Sequence, residues 1–134
     1  MNLDGRNKTV GEKFEHDFCR TLGKHGYWAH RLSQNKAGQP ADVIAVKNGS
    51  AYLIDCKTCA RDVFSLSRVE ENQILSMGMW KNCGNRECYF ALKLSDGSVR
   101  MIEYDVMINL SYEKNRLSLN DILENSESMG EWLE

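Results

Sequence analysis

The dipeptide Asn48-Gly49 lies between two apolar runs and constrains the fold of this 134-residue chain more than any other feature. A type I′ turn needs two consecutive residues with positive φ, and Asn-Gly is the pair that adopts this conformation most readily. The pattern therefore predicts a β-hairpin over residues 40–58 with a two-residue loop. Such a loop sets the register of the two strands, because Lys47 must then face Ser50 and every further pair follows.

This register brings two acidic residues together, since it places Asp42 opposite Asp55. Facing residues of an antiparallel pair have Cβ atoms about 4.5–5.5 Å apart, so like charges there repel each other. Side chains alternate between the two faces of a strand, which puts Lys57 on the same face as Asp55. Two carboxylates among apolar neighbours need a compensating cation, and oxygen ligands suit Mg²⁺ or Mn²⁺. The same spacing also fits a solvated hairpin end with one Asp–Lys pair, and the residues alone leave both readings open.

The segment before the hairpin predicts a helix followed by a short strand. Thr9 and Glu12 form a capping-box pattern that opens the helix, and Gly26 is a credible stop. Glu15 lies at the edge of the apolar stripe of this helix, where it can lean towards a sheet, although a surface position is commoner for a helical Glu. Residues 27–32 then predict the first strand.

The segment after the hairpin predicts a helix, a second hairpin and a small C-terminal appendage. Ser67 and Glu70 form a second capping-box pattern, and the helix runs to about residue 79 with Gln73 inside it. A Gln in such a place usually faces solvent. Residues 89–104 predict the second hairpin. The order of elements predicts a single α/β domain over residues 1–134, in which helices flank a central mixed sheet.

Charge is distributed unevenly along the chain. The net charge is −2, yet residues 121–134 contain five acidic and no basic residues, so residues 1–120 carry a net charge of +3. An acidic tail can hide a mildly basic body, which keeps a nucleic-acid partner open. We expect the folded core to occupy about residues 9–110 and the acidic tail to fray.

The five cysteines favour a reducing compartment, because their number is odd and no secretion signal precedes them. The spacings Cys56-x2-Cys59 and Cys83-x4-Cys88 leave a zinc site open, although the second pair is wide. No apolar run approaches the roughly 20 residues that a membrane span requires. We therefore expect a cytoplasmic protein without a membrane partner.

Three short motifs, taken in order, resemble the PD-(D/E)xK nuclease superfamily and, within it, the Holliday junction resolvases. These motifs are Gly11-x-x-x-Glu15, Pro40-Ala-Asp42 and Asp55-Cys-Lys57. The archaeal-type resolvases are similar in the first helix, the His-Arg strand and the hairpin. The bacterial RecU-type resolvases are also similar in later segments, so the likeness covers about residues 9–125.

The chain departs from both branches at Asp55, where a Glu is usual. The exchange keeps the charge and shortens the side chain by one methylene group, which shifts the position of a bound metal. The chain is also shorter than RecU-type proteins, and the polar loop 33–39 stands where they carry a stalk. The resemblance therefore points to a compact, phage-like or prophage-like version.

The resemblance implies a restriction-endonuclease-like core and a metal-dependent endonuclease for branched DNA. The substrate would be a four-way junction in recombination and repair, in the cytoplasm of a bacterial, archaeal or phage-infected cell. Two symmetric cuts imply a homodimer. Three alternatives remain open, namely a flap or restriction-type nuclease, a DNA-binding module that has lost catalysis, and a zinc-bound interaction protein.

The resemblance also implies a metal shell and a catalytic lysine. Asp42, Asp55 and the Cys56 carbonyl would bind Mg²⁺, with Mn²⁺ as a possible substitute. Glu15 would complete the shell directly or through water. Lys57 would orient or deprotonate the attacking water and stabilise the phosphate in the transition state.

The remaining implied roles concern one more catalytic residue and the DNA contacts. Gln73 would hold the catalytic lysine, the water or a phosphate oxygen. Arg31, Lys36 and Arg68 would bind DNA.

Overall fold

The structure is a computed structural model that describes residues 3–33 and 39–134, with side chains from residue 9 onward. Within these residues, a six-stranded mixed sheet carries helices on both faces, which confirms the predicted α/β architecture. None of the described helices combines the length and the apolar character that crossing a membrane requires. The elements are α1 (Leu3–Lys24), β1 (Trp28–Arg31), β2 (Val43–Lys47), β3 (Ser50–Thr58), β4 (Phe64–Ser65), a 3₁₀ turn (Leu66–Arg68), α2 (Glu71–Asn82), β5 (Glu87–Lys93), β6 (Val99–Glu103), α3 (Tyr104–Glu113), β7 (Arg116–Leu117), α4 (Leu119–Glu124), β8 (Glu127–Ser128) and α5 (Met129–Trp132).

The main sheet has the strand order β1-β2-β3-β5-β6-β8, and β4 pairs with β7 in a separate small ladder. The central pair β3–β5 is parallel, whereas the other neighbours in the main sheet are antiparallel. A parallel pair needs a crossover connection, and α2 supplies it. This crossover brings the start of α2 back to the carboxyl end of β3.

The predicted hairpin is present with the predicted register. Lys47 pairs with Ser50 at the turn, and Val43 pairs with Ile54 at the other end of the ladder. The turn residues have φ angles of 51° for Asn48 and 78° for Gly49. One backbone bond extends the pairing past the ladder, since the amide of Asp42 donates to the carbonyl of Ile54 over 3.2 Å.

The two faces of the sheet form two separate apolar cores. Alternate side chains of β3 point to opposite faces, so Ile54 and Cys56 pack on the α1 side and Leu53 packs on the α2 side. On the α1 side, the helix contributes its predicted apolar stripe of Phe14, Phe18 and Leu22. Burial of both faces explains why the central strands are continuously apolar rather than alternating.

Both capping-box predictions were wrong. Helix α1 begins at Leu3 rather than at Thr9. The preceding residues contain no proline that would prevent a helix, so a polar residue with capping potential does not start one there. Helix α2 begins one turn later than predicted, because Val69 is extended and Glu70 is the N-cap. The side-chain oxygen of Gln73 accepts a hydrogen bond from the amide of Glu70 over 3.3 Å.

The acidic C-terminal segment is folded, so the expectation that it frays was wrong. Strand β8 pairs with β6 at the edge of the sheet. Leu117 and Ile122 are fully buried on the α2 side, which extends the core beyond residue 110. Trp132 stacks on Tyr27 with ring centroids 5.7 Å apart. The four glutamates of this segment are exposed, whereas Asp121 pairs with Lys114 over 2.6 Å.

Candidate active site

Asp42 and Asp55 meet at the open end of the hairpin, as the register predicts. Asp55 lies on β3 and is 0 % exposed, and Asp42 directly precedes β2 and is 7 % exposed. One oxygen of Asp42, Oδ2, accepts a hydrogen bond of 2.8 Å from the amide of Cys56. The other oxygen, Oδ1, accepts one of 2.6 Å from Nε2 of Gln39. Asp42 is therefore held at both oxygens.

Asp55 has one oxygen that is hydrogen-bonded and one that is not. Its Oδ1 accepts a hydrogen bond of 2.7 Å from Nε2 of Gln73. Nζ of Lys57 lies 3.3 Å from Oδ2, which is an ion-pair contact. Among the described residues, Oδ2 has no hydrogen-bond partner. A buried oxygen in that condition is unusual, and it retains the capacity to bind a cation.

Glu15 reaches the same place from α1 and is 8 % exposed. Its Oε1 lies 3.5 Å from Nη2 of Arg31, at the end of β1. Burial and the charge of Asp42 raise the pKa of Glu15 to about 7, although the guanidinium of Arg31 opposes the shift. The helix position that looks like a surface position in sequence is therefore buried near Asp42.

The carboxylates at this end of the sheet repel one another. Burial and the charge of Asp42 raise the pKa of Asp55 well above its usual range, and Lys57 opposes this only in part. Asp42 thus raises the pKa of both neighbours, Glu15 and Asp55. A divalent cation placed among them would favour their ionised forms and relieve the repulsion.

The oxygen donors of this site fit a hard divalent cation. The described residues include no cluster of three or more His, Cys, Asp or Glu side chains arranged as a metal site. The site instead offers two carboxylates and a backbone carbonyl. The N–H and C=O groups of one strand residue point to the same side. Since the amide of Cys56 bonds Asp42, the carbonyl of Cys56 faces that side too, beyond the start of β2.

Gln73 is buried over the sheet rather than exposed on the helix surface. It is 5 % exposed, and its amide is oriented from both ends. Its oxygen accepts from the N-cap amide of Glu70, so its nitrogen faces Asp55. The capping-box spacing between Glu70 and Gln73 was the sequence signal that could have placed this residue at the first turn of α2.

The residues predicted to contact DNA have different surroundings. Arg31 faces Glu15, and its buried Nε has no hydrogen-bond partner among the described residues. Nη1 of Arg68 donates to the carbonyl of Thr58 over 2.9 Å, and its guanidinium lies 5.3 Å from the centroid of the Phe64 ring. Lys36 lies outside the described residues. Contact with DNA stays a prediction for all three.

The zinc alternative does not fit the fold. Cys56 belongs to the core on the α1 side of the sheet, whereas Cys59 belongs to the core on the α2 side. Cys83 is exposed, whereas Cys88 is buried. The cysteines therefore do not converge on one site, and burial raises the pKa of the Cys88 thiol to about 12.

Comparison with known proteins relates the chain to one family. A family model described as archaeal Holliday junction resolvase (hjc) matches residues 6–129. The solved structure of Hjc from Archaeoglobus fulgidus, described as a Holliday junction resolvase from an archaeal hyperthermophile, is similar with a TM-score of 0.71. The two sequences are 20% identical, and the alignment covers 92% of this chain and 100% of that chain. No curated protein matches the chain.

Proposed function

The chain belongs to the archaeal Holliday junction resolvase family, and from that membership we propose that it is a Mg²⁺-dependent endonuclease that cuts four-way DNA junctions. The family match confirms the resemblance found in the sequence, on the side of the archaeal-type branch. Resolution of Holliday junctions is the work of a nuclease.

One observation carries the proposal, namely the buried pair Asp42 and Asp55 with Oδ2 of Asp55 lacking a hydrogen bond. This oxygen, Asp42 and the carbonyl of Cys56 would hold Mg²⁺ or Mn²⁺, and Glu15 would reach it directly or through water. The metal would lower the pKa of a bound water and offset charge on the scissile phosphate. A pair of buried carboxylates without such a cation would only destabilise the fold.

Lys57 is the residue that would act on the attacking water. Its ammonium pairs with Asp55 on the face of β3 that α2 covers. From there it would orient the water and stabilise the negative charge that develops on the phosphate. Gln73 would act through Asp55, because its side-chain amide donates a hydrogen bond to that carboxylate. We therefore assign Gln73 the task of fixing Asp55, rather than of touching the substrate.

A homodimer would supply the two cuts that a four-way junction requires. Exposed apolar side chains suit such an assembly. Leu75 and Met79 lie one turn apart on α2 and are 61% and 68% exposed, and Trp28 on β1 is 63% exposed next to its cross-strand partner Val46. Exposed apolar groups mark association sites. We propose that two copies associate through the pair on α2.

Cleavage of a labelled four-way junction tests the proposal, with linear duplex as the second substrate and EDTA as the control. We expect paired, Mg²⁺-dependent cuts confined to the junction. Equal cutting of linear duplex would favour a flap or restriction-type enzyme instead. Binding without any cutting would favour a DNA-binding module without catalysis.

A further inference from the structure

Two polar residues outside the proposed catalytic set, Gln39 and Asn72, form a chain of hydrogen bonds that ends on Asp42. Nδ2 of Asn72 donates to the backbone carbonyl of Gln39 over 3.0 Å. The side-chain nitrogen of Gln39 donates in turn to Oδ1 of Asp42 over 2.6 Å. Gln39 and Asn72 are both half-buried. The two contacts link the first turn of α2 to a proposed metal ligand on the far side of the site.

Gln73, the residue after Asn72 in α2, contacts the second carboxylate, Asp55. Gln73 donates directly to Asp55, so adjacent positions of α2 reach both members of the acidic pair. Helix α2 is the crossover between the parallel strands, and its start is therefore fixed relative to the end of β3. The first turn of α2 thus contacts Asp55 directly and Asp42 through Gln39.

The bond from Gln39 also decides how Asp42 presents its free lone pairs. The amide of Cys56 occupies one oxygen of this carboxylate, and Gln39 occupies the other. Two donors on opposite oxygens fix the plane of a carboxylate, and each oxygen keeps a second lone pair for a cation. Without Gln39, Asp42 would be held at one oxygen only and could turn about its terminal bond.

We propose that Gln39 and Asn72 are positioning residues that hold Asp42 in the orientation that binds the metal. The inference rests on the proposed function, because it takes Asp42 as a metal ligand. Neither residue touches the substrate in this assignment. Asn72 acts on Gln39, and Gln39 acts on Asp42. Partners of this kind, one step outside the ligands, govern metal affinity in other metal sites.

The first test measures metal binding in the absence of DNA. Mn²⁺ is titrated into the protein, and the free ion is followed by electron paramagnetic resonance. The variant Gln39→Met keeps the length of the side chain and lacks the donor. We expect its Kd for Mn²⁺ to rise about 10- to 100-fold, as for other partners of metal ligands. Asn82→Ala, an exposed position at the other end of α2, is the matched control and should leave Kd unchanged.

The second test asks whether Asn72 acts through Gln39. Asn72→Ala alone should raise Kd by less than Gln39→Met does. In the Gln39→Met background, Asn72→Ala should add nothing, because the side chain that carries its effect is gone. A full and independent effect of Asn72→Ala in that background would overturn the linkage. Asn72→Ala also serves as the second variant should Gln39→Met fail to fold.

Cleavage separates positioning from catalysis. Gln39→Met should raise the Mg²⁺ concentration that gives half-maximal junction cleavage by the same factor as Kd, and saturating Mg²⁺ should restore the maximal rate. An unchanged Kd for Mn²⁺ in Gln39→Met would overturn the proposal, as would a lower maximal rate with unchanged metal dependence. Wild-type protein that binds Mn²⁺ and leaves junctions uncut would refute the proposed function instead, and the Kd values would still judge the positioning pair.

Discussion

The two ends of the β2–β3 hairpin differ in burial and charge, since one is an exposed turn and the other buries two carboxylates. At the turn, Asn48 and Gly49 take up positive φ angles, and Lys47 donates to the carbonyl of His25 over 2.7 Å at an exposed position. At the open end, Asp42 and Asp55 are buried side by side. The turn needs only its own two residues to form. At the open end, Lys57 and Gln73 contact Asp55, whereas Glu15 of α1 adds a third carboxylate that Asp42 repels. The proposed catalytic site therefore lies where carboxylates repel one another.

The largest loss of cleavage should follow from removing a charged side chain at the open end of the hairpin. Asp55→Ala removes a proposed metal ligand, and Lys57→Ala removes the proposed partner of the water. Each change should lower junction cleavage by more than about 10³-fold, because no other group replaces the lost charge stabilisation. DNA binding, measured by gel shift in Ca²⁺, should stay within a few-fold of wild type. If both variants still cut, the catalytic site lies elsewhere.

A smaller loss of cleavage should follow from removing a hydrogen bond to a proposed metal ligand while keeping the ligand itself. Gln73→Leu deletes the donor to Asp55 and keeps the bulk of the side chain. We expect cleavage at limiting Mg²⁺ to fall about 10- to 100-fold, the usual consequence of losing a partner of a metal ligand. Asn82→Ala, an exposed position at the other end of α2, is the control and should leave the Mg²⁺ dependence unchanged. Wild-type Mg²⁺ dependence in Gln73→Leu would mean that Asp55 is positioned by its strand alone.

The repulsion at the open end should be visible as a pH dependence of stability. The pKa of Glu15 is raised from 4.5 to about 7 in the folded protein, so this residue favours folding below pH 4.5 and the contribution is lost as the pH rises through 7. Denaturant unfolding of the metal-free protein measures this effect. As the pH rises from 4.5 to 7, the free energy of unfolding of wild type should fall by on the order of 2 kcal/mol more than that of Glu15→Gln.

Mg²⁺ supplies the control for that measurement. A bound cation should restore most of the free energy of unfolding that wild type loses at pH 7.5. Identical pH profiles for wild type and Glu15→Gln would show that Glu15 ionises freely in the folded protein.

The smallest effect should come from the turn. Gly49→Ala places a Cβ in open space, so its cost is confined to a backbone with φ of 78°. We expect a loss of about 1 kcal/mol in the free energy of unfolding and no change in cleavage. Ser50→Ala, next in the chain, is the control for side-chain loss. A drop in cleavage with Gly49→Ala would mean that the turn transmits its geometry to the acidic pair.

The same contrast explains which features the sequence could predict. The register of the hairpin depends on two adjacent residues, so a local rule was enough to bring Asp42 and Asp55 together. The place of Gln73 depends on where the crossover helix starts, and the pattern of a surface Gln is the same as that of a buried one. The order of Glu15, Asp42, Asp55 and Lys57 was legible as a family motif, whereas their distances were not.

The C-terminal segment was missed for a related reason. Its acidic composition predicts a solvated tail when averaged over 14 residues. Two residues overturn that average, because Ile122 enters the core and Trp132 stacks on Tyr27. Whether a segment docks depends on a few apolar anchors and on a receptive surface, and that surface is built by residues far away in the chain.

The aromatic cluster around Trp132 can serve as an intrinsic fluorescence probe. The indole lies 5.7 Å from the ring of Tyr27, 5.6 Å from that of Tyr52 and 5.4 Å from that of Tyr89, as measured between centroids. Light absorbed by these tyrosines is passed to a tryptophan at such short range. With Trp28 and Trp80 replaced by Phe, emission excited through tyrosine reports whether the last helix is in place, so detachment of the C-terminal segment can be timed separately from unfolding of the sheet.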